Sequence, residues 1–155
     1  MKQLALLIST FGYVGFFPIA PGTAGSLAAL ALYAAVRWVG EGWFEIGVIA
    51  AVLAAGVWSA TESERLLGAS DPGPVVIDEV LGLLVTLAFM PLSLWGVGAG
   101  FLVFRALDVV KPFPAAALER LHGGWGVMLD DAAAGLYGQS LLRLLTWVAP
   151  QWLLA

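Results

Sequence analysis

The chain has 155 residues, of which 61% are hydrophobic and 12% charged, and its mean hydropathy of +0.92 is far above that of an ordinary soluble domain. Its net charge of −4, with seven scattered lysines and arginines, argues against a nucleic-acid partner, which requires clustered basic residues. The lack of cysteine excludes disulfides, thiolate metal sites and cysteine nucleophiles.

The N-terminal half predicts a short apolar segment followed by a transmembrane hairpin. Residues 3–17 are apolar but too few for a comfortable span, so we expect a retained interfacial or re-entrant helix. Residues 25–40 and 43–61 predict two antiparallel spans, separated by a polar stretch that includes Glu41. Residues 61–78 are the most polar region and are expected outside the hydrocarbon, with Pro74 starting the next helix.

Residues 80–104 carry no charge and leave two topologies open. They form either one long span or two shorter limbs that break at Pro91 and Gly96. The two-limb topology is preferred because it gathers most basic residues on one side, which the positive-inside rule makes cytoplasmic. Those residues are Arg65, Arg105, Lys111 and Arg120, with Arg37 opposite.

The last third predicts a polar excursion over residues 108–131 and a final helix from Asp130 to about Pro150. Gly135 and Gly138 follow Asp131 at spacings of four and seven, which makes a face that another helix can approach closely. A homodimer through this face stays open. With no repeat or linker, we expect one all-α polytopic membrane domain over residues 1–155, with about five spanning or part-spanning helices plus short interfacial helices.

Two acidic pairs, Asp78-Glu79 and Asp130-Asp131, each open directly into an apolar stretch. An ionised carboxylate beside hydrocarbon must be paired, hydrated or metal-bound. The helix macrodipole favours acids in a first turn, but doubled like charges raise each other's cost unless a cation is present. The two pairs therefore predict a cation site, in which one member of each pair ligates while the other positions a basic residue.

Under the two-limb topology, four polar segments converge on one side of the membrane: residues 21–26, 71–79, 105–111 and 123–131. Phosphoryl transfer to water fits this set, because carboxylates hold Mg²⁺, which polarises a phosphoryl oxygen, while Arg and Lys bind the anion. Arg105, Asp108 and Lys111 recur at intervals of three and share a helix face, and Asp108 is counted with the catalytic candidates. A solvated, salt-bridged helix end would show the same spacing.

The Pro-Gly-Thr-Ala-Gly-Ser run at residues 21–26 has two interpretations. It is either a turn capped by Thr23 or Ser26, or an anion cradle in which the backbone N–H groups of a helix N-terminus bind phosphate. His122 is the only histidine, which leaves room for a single general acid and none for a histidine-rich metal centre.

These segments resemble the phosphatidylglycerophosphatase A family over nearly the whole chain. The matching stretches are residues 16–26, 75–82, 104–114 and 123–135. The resemblance implies a Mg²⁺-dependent enzyme of the bacterial inner membrane that hydrolyses phosphatidylglycerophosphate to phosphatidylglycerol and inorganic phosphate. The distribution of basic residues predicts that its site is on the cytoplasmic side.

The resemblance also implies roles for individual residues. It assigns metal and catalytic roles to Asp78, Glu79, Asp130 and Asp131, phosphate contact to Arg105 and Lys111, and headgroup or cap roles to Thr23 and Ser26. A metal-activated water is the preferred nucleophile, and an aspartyl-phosphate is the competing route.

Two other classes of protein remain as alternatives. A small cation or proton transporter would use carboxylates near mid-span, whereas these lie at segment ends beside Arg and Lys, which suits an anionic substrate. A structural or assembly protein would tolerate the loss of all four paired acids.

Overall fold

The computed structural model describes residues 1–40 and 42–155, and the regular structure in that part is helical. Glu41 of the predicted polar stretch lies outside the described residues. The helices are α1 (Lys2–Ser9), α2 (Pro21–Val39), α3 (Gly42–Leu67), α4 (Ile77–Leu87), α5 (Leu94–Val110), α6 (Ala115–Leu118), α7 (Gly124–Val148) and α8 (Pro150–Leu153), with a 3₁₀ turn at Val14–Phe16. The all-α prediction is confirmed.

Among the described residues, α2 and α3 are the two helices long and apolar enough to cross a membrane. The prediction of about five was too high, because α4 has 11 residues and α5 has 17, and α7, although 25 residues long, is not apolar enough. The predicted hairpin corresponds to α2 and α3. However, α3 continues through the polar residues to Leu67, and its last turns carry an ion pair of 2.7 Å between Arg65 and Glu62.

The predicted break into two limbs is confirmed, because α4 and α5 are separate helices. The break lies at residues 88–93, so it includes Pro91, whereas Gly96 lies inside α5, where its N–H donates to the Ser93 hydroxyl that caps the helix. The predicted start of α4 at Pro74 is wrong. The helix begins at Ile77, and just before it the N–H of Val76 donates to the Ser9 carbonyl of α1 at 2.9 Å.

The predicted start of the last long helix at Asp130 is also wrong. Helix α7 begins at Gly124, after Gly123 with a φ of 64°, and the N–H of Gly124 donates to the Thr61 hydroxyl of α3 at 2.8 Å. Packing on α3 therefore starts a helix that the glycine-rich sequence disfavours by propensity. Asp130 and Asp131 lie in its second turn, beyond the end where the macrodipole favours acids most.

Helix α4 is the buried centre of the fold and packs on α2, α3, α5 and, most extensively, α7. Gly135 and Gly138 of α7 face α4, where they meet Gly82 and Thr86. The close-approach face predicted from these glycines exists. It is filled by a helix of the same chain, so it is not free for a homodimer.

Candidate metal centre

Three carboxylates from two helices meet at one end of the fold. Asp78 and Glu79 lie in the first turn of α4, and Asp131 lies on the face of α7 that packs on α4. One oxygen from each forms a group in which all three atoms lie within 4.8 Å of one another. Asp78 is only 8% exposed and Asp131 only 2%. Members of both acidic pairs that the sequence singled out therefore reach one site from positions more than fifty residues apart.

Each of these carboxylates has a buried oxygen with no hydrogen-bond partner among the described residues: Oδ1 of Asp78, Oε2 of Glu79 and Oδ2 of Asp131. Burial raises the pKa of Asp78, which lies outside α2 and α3, and the charges of Glu79 and Asp131 raise it further. Buried acceptors without partners are costly, and like charges add to the cost. A divalent cation would satisfy all three oxygens, and carboxylate oxygens are the donors that hard cations prefer.

Asp130 lies outside this group, although the sequence counted it with the metal ligands. Its Oδ2 accepts a hydrogen bond from Nζ of Lys111 at 2.5 Å, and the same ammonium lies 3.4 Å from Glu119. Burial acts to lower the pKa of Lys111, but the hydrogen bond and charge of Asp130 outweigh it, so the pKa is raised and Lys111 stays charged. In the second acidic pair, Asp131 thus belongs to the carboxylate group, and its neighbour Asp130 binds the cationic side chain of Lys111.

Arg105 lies at the rim of the carboxylate group, between α2, α4 and α5. Its Nη1 is 2.6 Å from Oδ2 of Asp108 and 3.8 Å from Oε1 of Glu79, and it donates to the Ser26 hydroxyl at 3.4 Å. The Arg105 and Asp108 side chains are only 20% and 12% exposed. The ion pair expected of a salt-bridged helix end is therefore present, but it is mostly buried and lies beside Glu79, so this helix end is not simply solvated.

The N-terminus of α2 reaches the same rim. Ala20, not Thr23 or Ser26, is the N-cap residue, and the Ser26 hydroxyl donates instead to the Gly22 carbonyl at 3.0 Å, so the side-chain cap interpretation is wrong. A Cβ atom on Gly22 would overlap the Glu79 carboxylate and lie 3.3 Å from Nη2 of Arg105. This glycine therefore lets both charged groups approach the first turn of α2, where Thr23 also lies and where backbone N–H groups lack intrahelical acceptors.

Beside Lys111, a polar cavity of about 340 Å³ is lined by Glu64, Asp71 and Glu119 among others. Glu64 accepts the Asp71 N–H at 2.9 Å, and Asp71 has a left-handed φ of 44°. Burial raises the pKa of Asp71, although Lys111 opposes the shift. Sequence reasoning did not single out Asp71. His122 lines a separate cavity with Arg65 and is exposed, so the structure does not place it with the carboxylates.

Comparison with known proteins shows what the chain is similar to. The family model described as phosphatidylglycerophosphatase A matches residues 7–146. A Bacteroides thetaiotaomicron protein named "Putative phosphatidylinositol-3-phosphatase" is 38% identical over 152 residues, which cover 94% of this chain and 95% of that protein. Phosphatidylglycerophosphatase A of Escherichia coli is 37% identical (88% of this chain, 80% of that protein), and that of Haemophilus influenzae is 34% identical (88% and 85%). No solved structure gives a significant match.

Proposed function

The chain belongs to the phosphatidylglycerophosphatase A family of lipid phosphatases, and from that premise we propose that it hydrolyses phosphatidylglycerophosphate to phosphatidylglycerol and inorganic phosphate in a Mg²⁺-dependent reaction. The observation that supports this most is the group formed by Asp78, Glu79 and Asp131, in which every member keeps a buried oxygen without a partner. Such a group has no evident use unless a cation binds there.

These three residues fit Mg²⁺ through their oxygen donors, and Asp78, Glu79 and Asp131 would hold it. When bound, Mg²⁺ supplies Lewis-acid polarisation of a phosphoryl oxygen and neutralises charge that develops during transfer.

The substrate phosphate would be bound by the chain's own cationic and N–H groups. Arg105 offers a planar pair of donors to phosphate oxygens, and Asp108 at 2.6 Å holds the guanidinium in place. The free N–H groups at the start of α2 lie on the other side of the same rim and favour an anion. Lys111, held by Asp130, adds a point charge. Together these groups would orient the terminal phosphate against the carboxylate group.

Water is the proposed nucleophile. Asp78, Glu79 and Asp131 would be engaged as cation ligands, and lone pairs donated to a cation are less available for attack, which disfavours any of the three as the attacking group. An aspartyl-phosphate route would leave a labelled chain when substrate carrying a radioactive terminal phosphate is quenched in acid during turnover. Under the proposed route, the quenched chain carries no label.

A second candidate substrate is phosphatidylinositol 3-phosphate. It is favoured by the printed name of the Bacteroides thetaiotaomicron relative, which matches nearly the whole of both chains. Both lipids present a phosphate monoester on a polyol, so the same carboxylate group and Arg105 would act on either one.

The decisive experiment is phosphate release by the purified full chain in nanodiscs, from both of these lipids and from phosphatidic acid, with Mg²⁺ or with EDTA. Asp78→Asn and Asp131→Asn are compared with Glu62→Gln, which alters a partly exposed carboxylate on α3. We expect the wild type and Glu62→Gln to release phosphate from phosphatidylglycerophosphate in Mg²⁺. We expect no release in EDTA or from either Asn variant. Full activity in the Asn variants, or ion flux without phosphatase activity in any arm, would overturn the proposal.

We place the site on the cytoplasmic face of a bacterial inner membrane, which the distribution of basic residues supports. Since the chain has no cysteine, a single cysteine can report on each side. Ser70→Cys, in the exposed loop before α4, should react with an impermeant maleimide only in inside-out vesicles, and Gly40→Cys, in the loop after α2, only in right-side-out ones. The opposite labelling would refute the orientation.

A further inference from the structure

The two helices that carry the carboxylate group share one spacing. Gly82 follows Asp78 by four residues on α4, and Gly135 follows Asp131 by four residues on α7. Residues four apart lie on the same helix face, one turn along. Each acid therefore lies one turn before a glycine, and Gly135 faces the Gly82 carbonyl where the helices pack.

At this crossing the helices are as close as glycine permits. A Cβ atom on Gly135 would lie 2.5 Å from the Gly82 carbonyl oxygen and 3.1 Å from Cβ of Val85. A Cβ atom on Gly82 would overlap the Phe104 ring of α5 and would lie 2.8 Å from the Asp131 carbonyl oxygen. The crossing is thus in direct contact with the backbone of a clustered acid.

A buried hydroxyl fixes the crossing on its far side. Oγ1 of Thr86, the residue one turn beyond Gly82, donates to the Gly82 carbonyl at 2.8 Å and lies 3.3 Å from the Gly135 carbonyl. Thr86 is fully buried. The same side chain also packs against Gly138, so Thr86 holds α4 and α7 together over the two turns that follow the acids.

We propose that the crossing of Gly82 and Gly135, tied by Thr86, is a spacer that sets the separation of Asp78 and Asp131 and so selects a small divalent cation over a larger one. The inference rests on the proposed function, since it assumes that these acids hold a cation. Gly82, Gly135 and Thr86 act as positioning residues and touch neither cation nor substrate.

The distances involved are large enough to matter. Ordinary contact between a methyl carbon and a carbonyl oxygen needs roughly 3.5 Å, so a methyl group on Gly135 would push the helices apart by up to about 1 Å. Mg²⁺ binds oxygen at about 2.0–2.1 Å and demands near-ideal geometry, whereas Ca²⁺ binds at about 2.3–2.6 Å with flexible geometry. A widened site should therefore lose Mg²⁺ and keep Ca²⁺.

The test measures cation binding without turnover. Mg²⁺ and Ca²⁺ are titrated separately by calorimetry into the full chain in nanodiscs, for the wild type, Gly135→Ala, Gly138→Ala and Gly98→Ala. Gly98 is the matched control, because a Cβ atom there, on α5, meets no atom within 4 Å. Gly138→Ala is the milder variant, since its Cβ atom would lie 2.8 Å from a side-chain atom, Oγ1 of Thr86, whereas that of Gly135→Ala would lie 2.5 Å from a backbone carbonyl oxygen.

We expect Gly135→Ala to weaken Mg²⁺ binding by roughly 10- to 100-fold, as for other changes behind metal ligands, with a much smaller effect on Ca²⁺. Gly138→Ala should shift the ratio of the two affinities less and in the same direction, and Gly98→Ala should leave it unchanged. If Gly135→Ala folds and its ratio of Mg²⁺ to Ca²⁺ affinity equals that of the wild type, the inference is overturned. Equal weakening of both affinities counts as such a result. If Gly135→Ala does not fold, an unaltered ratio in Gly138→Ala overturns it.

Failure of the underlying function looks different. If the wild type binds neither ion, or if Asp78→Asn and Asp131→Asn bind Mg²⁺ as the wild type does, the carboxylate group is not a cation site and both proposals fall. If those controls behave as expected and only the affinity ratio stays fixed, the spacer alone is refuted.

Discussion

Replacing Asp131 by Asn should stabilise the chain when divalent cations are removed, although it abolishes activity. The reason is the unpaired carboxylate group, whose three oxygens lie within 4.8 Å of one another. At an effective dielectric constant of 20, two unit charges at that distance repel each other by about 3 kcal/mol. The substitution removes repulsion with both Asp78 and Glu79. It also supplies an amide that can donate to one of their orphaned oxygens.

The net gain is smaller than this repulsion, because the cation-free group takes up protons and so relieves part of it. We expect about 1–3 kcal/mol, which for a chain of this size raises the midpoint of thermal unfolding by several degrees. The assay is thermal unfolding of the full chain in nanodiscs, with EDTA or with saturating Mg²⁺. In EDTA, Asp131→Asn should unfold at a higher temperature than the wild type. Mg²⁺ should raise the midpoint of the wild type and leave that of the variant nearly unchanged.

Glu62→Gln is the control for loss of an acidic charge, because Glu62 is partly exposed and pairs with Arg65 on the surface. Its midpoint should change little in either condition, as exposed ion pairs contribute about 0–1 kcal/mol. If Asp131→Asn is less stable than the wild type in EDTA, the group is not a repulsive cluster. If the variant gains as much from Mg²⁺ as the wild type does, Asp131 is not a ligand.

Three further predictions test the rim of the site. Lys111→Met should destabilise the chain by roughly 2 kcal/mol because it leaves the buried Asp130 carboxylate unpaired, and adding Asp130→Asn should restore the unfolding midpoint without restoring activity; a double variant no more stable than Lys111→Met would contradict the pairing. Gly22→Ala should lower kcat/KM at least about tenfold, because the added methyl group would displace the Glu79 carboxylate, whereas Gly98→Ala should leave kcat/KM unchanged. Equal kcat/KM in the two variants would show that the space at Gly22 does not matter for catalysis. Arg105→Lys should raise KM for the lipid phosphate by roughly tenfold, because a single ammonium replaces a bidentate donor pair; an unchanged KM would place the phosphate elsewhere.

Local chemistry made much of the site predictable from the sequence. Acidic doublets beside hydrocarbon are costly enough that Asp78, Glu79 and Asp131 stood out, and the structure brings these three together. The separation of α4 from α5 was predictable, because two limbs gather most basic residues on one side, as the positive-inside rule favours. Family membership followed from four ordered motifs and is confirmed by the comparisons.

Packing decided what the sequence did not show. The start of α7 depends on the Gly124 N–H meeting the Thr61 hydroxyl, a contact between residues 63 positions apart, whereas local propensity suggested that the glycine run was a loop. Asp130 and Asp131 are neighbours whose side chains leave α7 in different directions, so that Asp130 meets Lys111. These directions could not be assigned while the start of the helix was misplaced.

The glycines illustrate the same limit. The run that contains Gly22 predicted either a capped turn or an anion cradle, and neither interpretation showed that Gly22 makes room for the Glu79 carboxylate and for Arg105. Gly82 was missed, although its distance from Asp78 equals that between Gly135 and Asp131. That equality could have indicated two parallel helices that cross one turn below the acids.

The most direct test of the central claim is an experimental structure of the full chain with Mn²⁺, a redox-stable substitute for Mg²⁺ that anomalous scattering can locate. The account predicts one anomalous peak within coordination distance of oxygens from Asp78, Glu79 and Asp131, and its loss in Asp131→Asn. A peak in the cavity lined by Glu64 and Asp71 instead, with none at the three carboxylates, would contradict it.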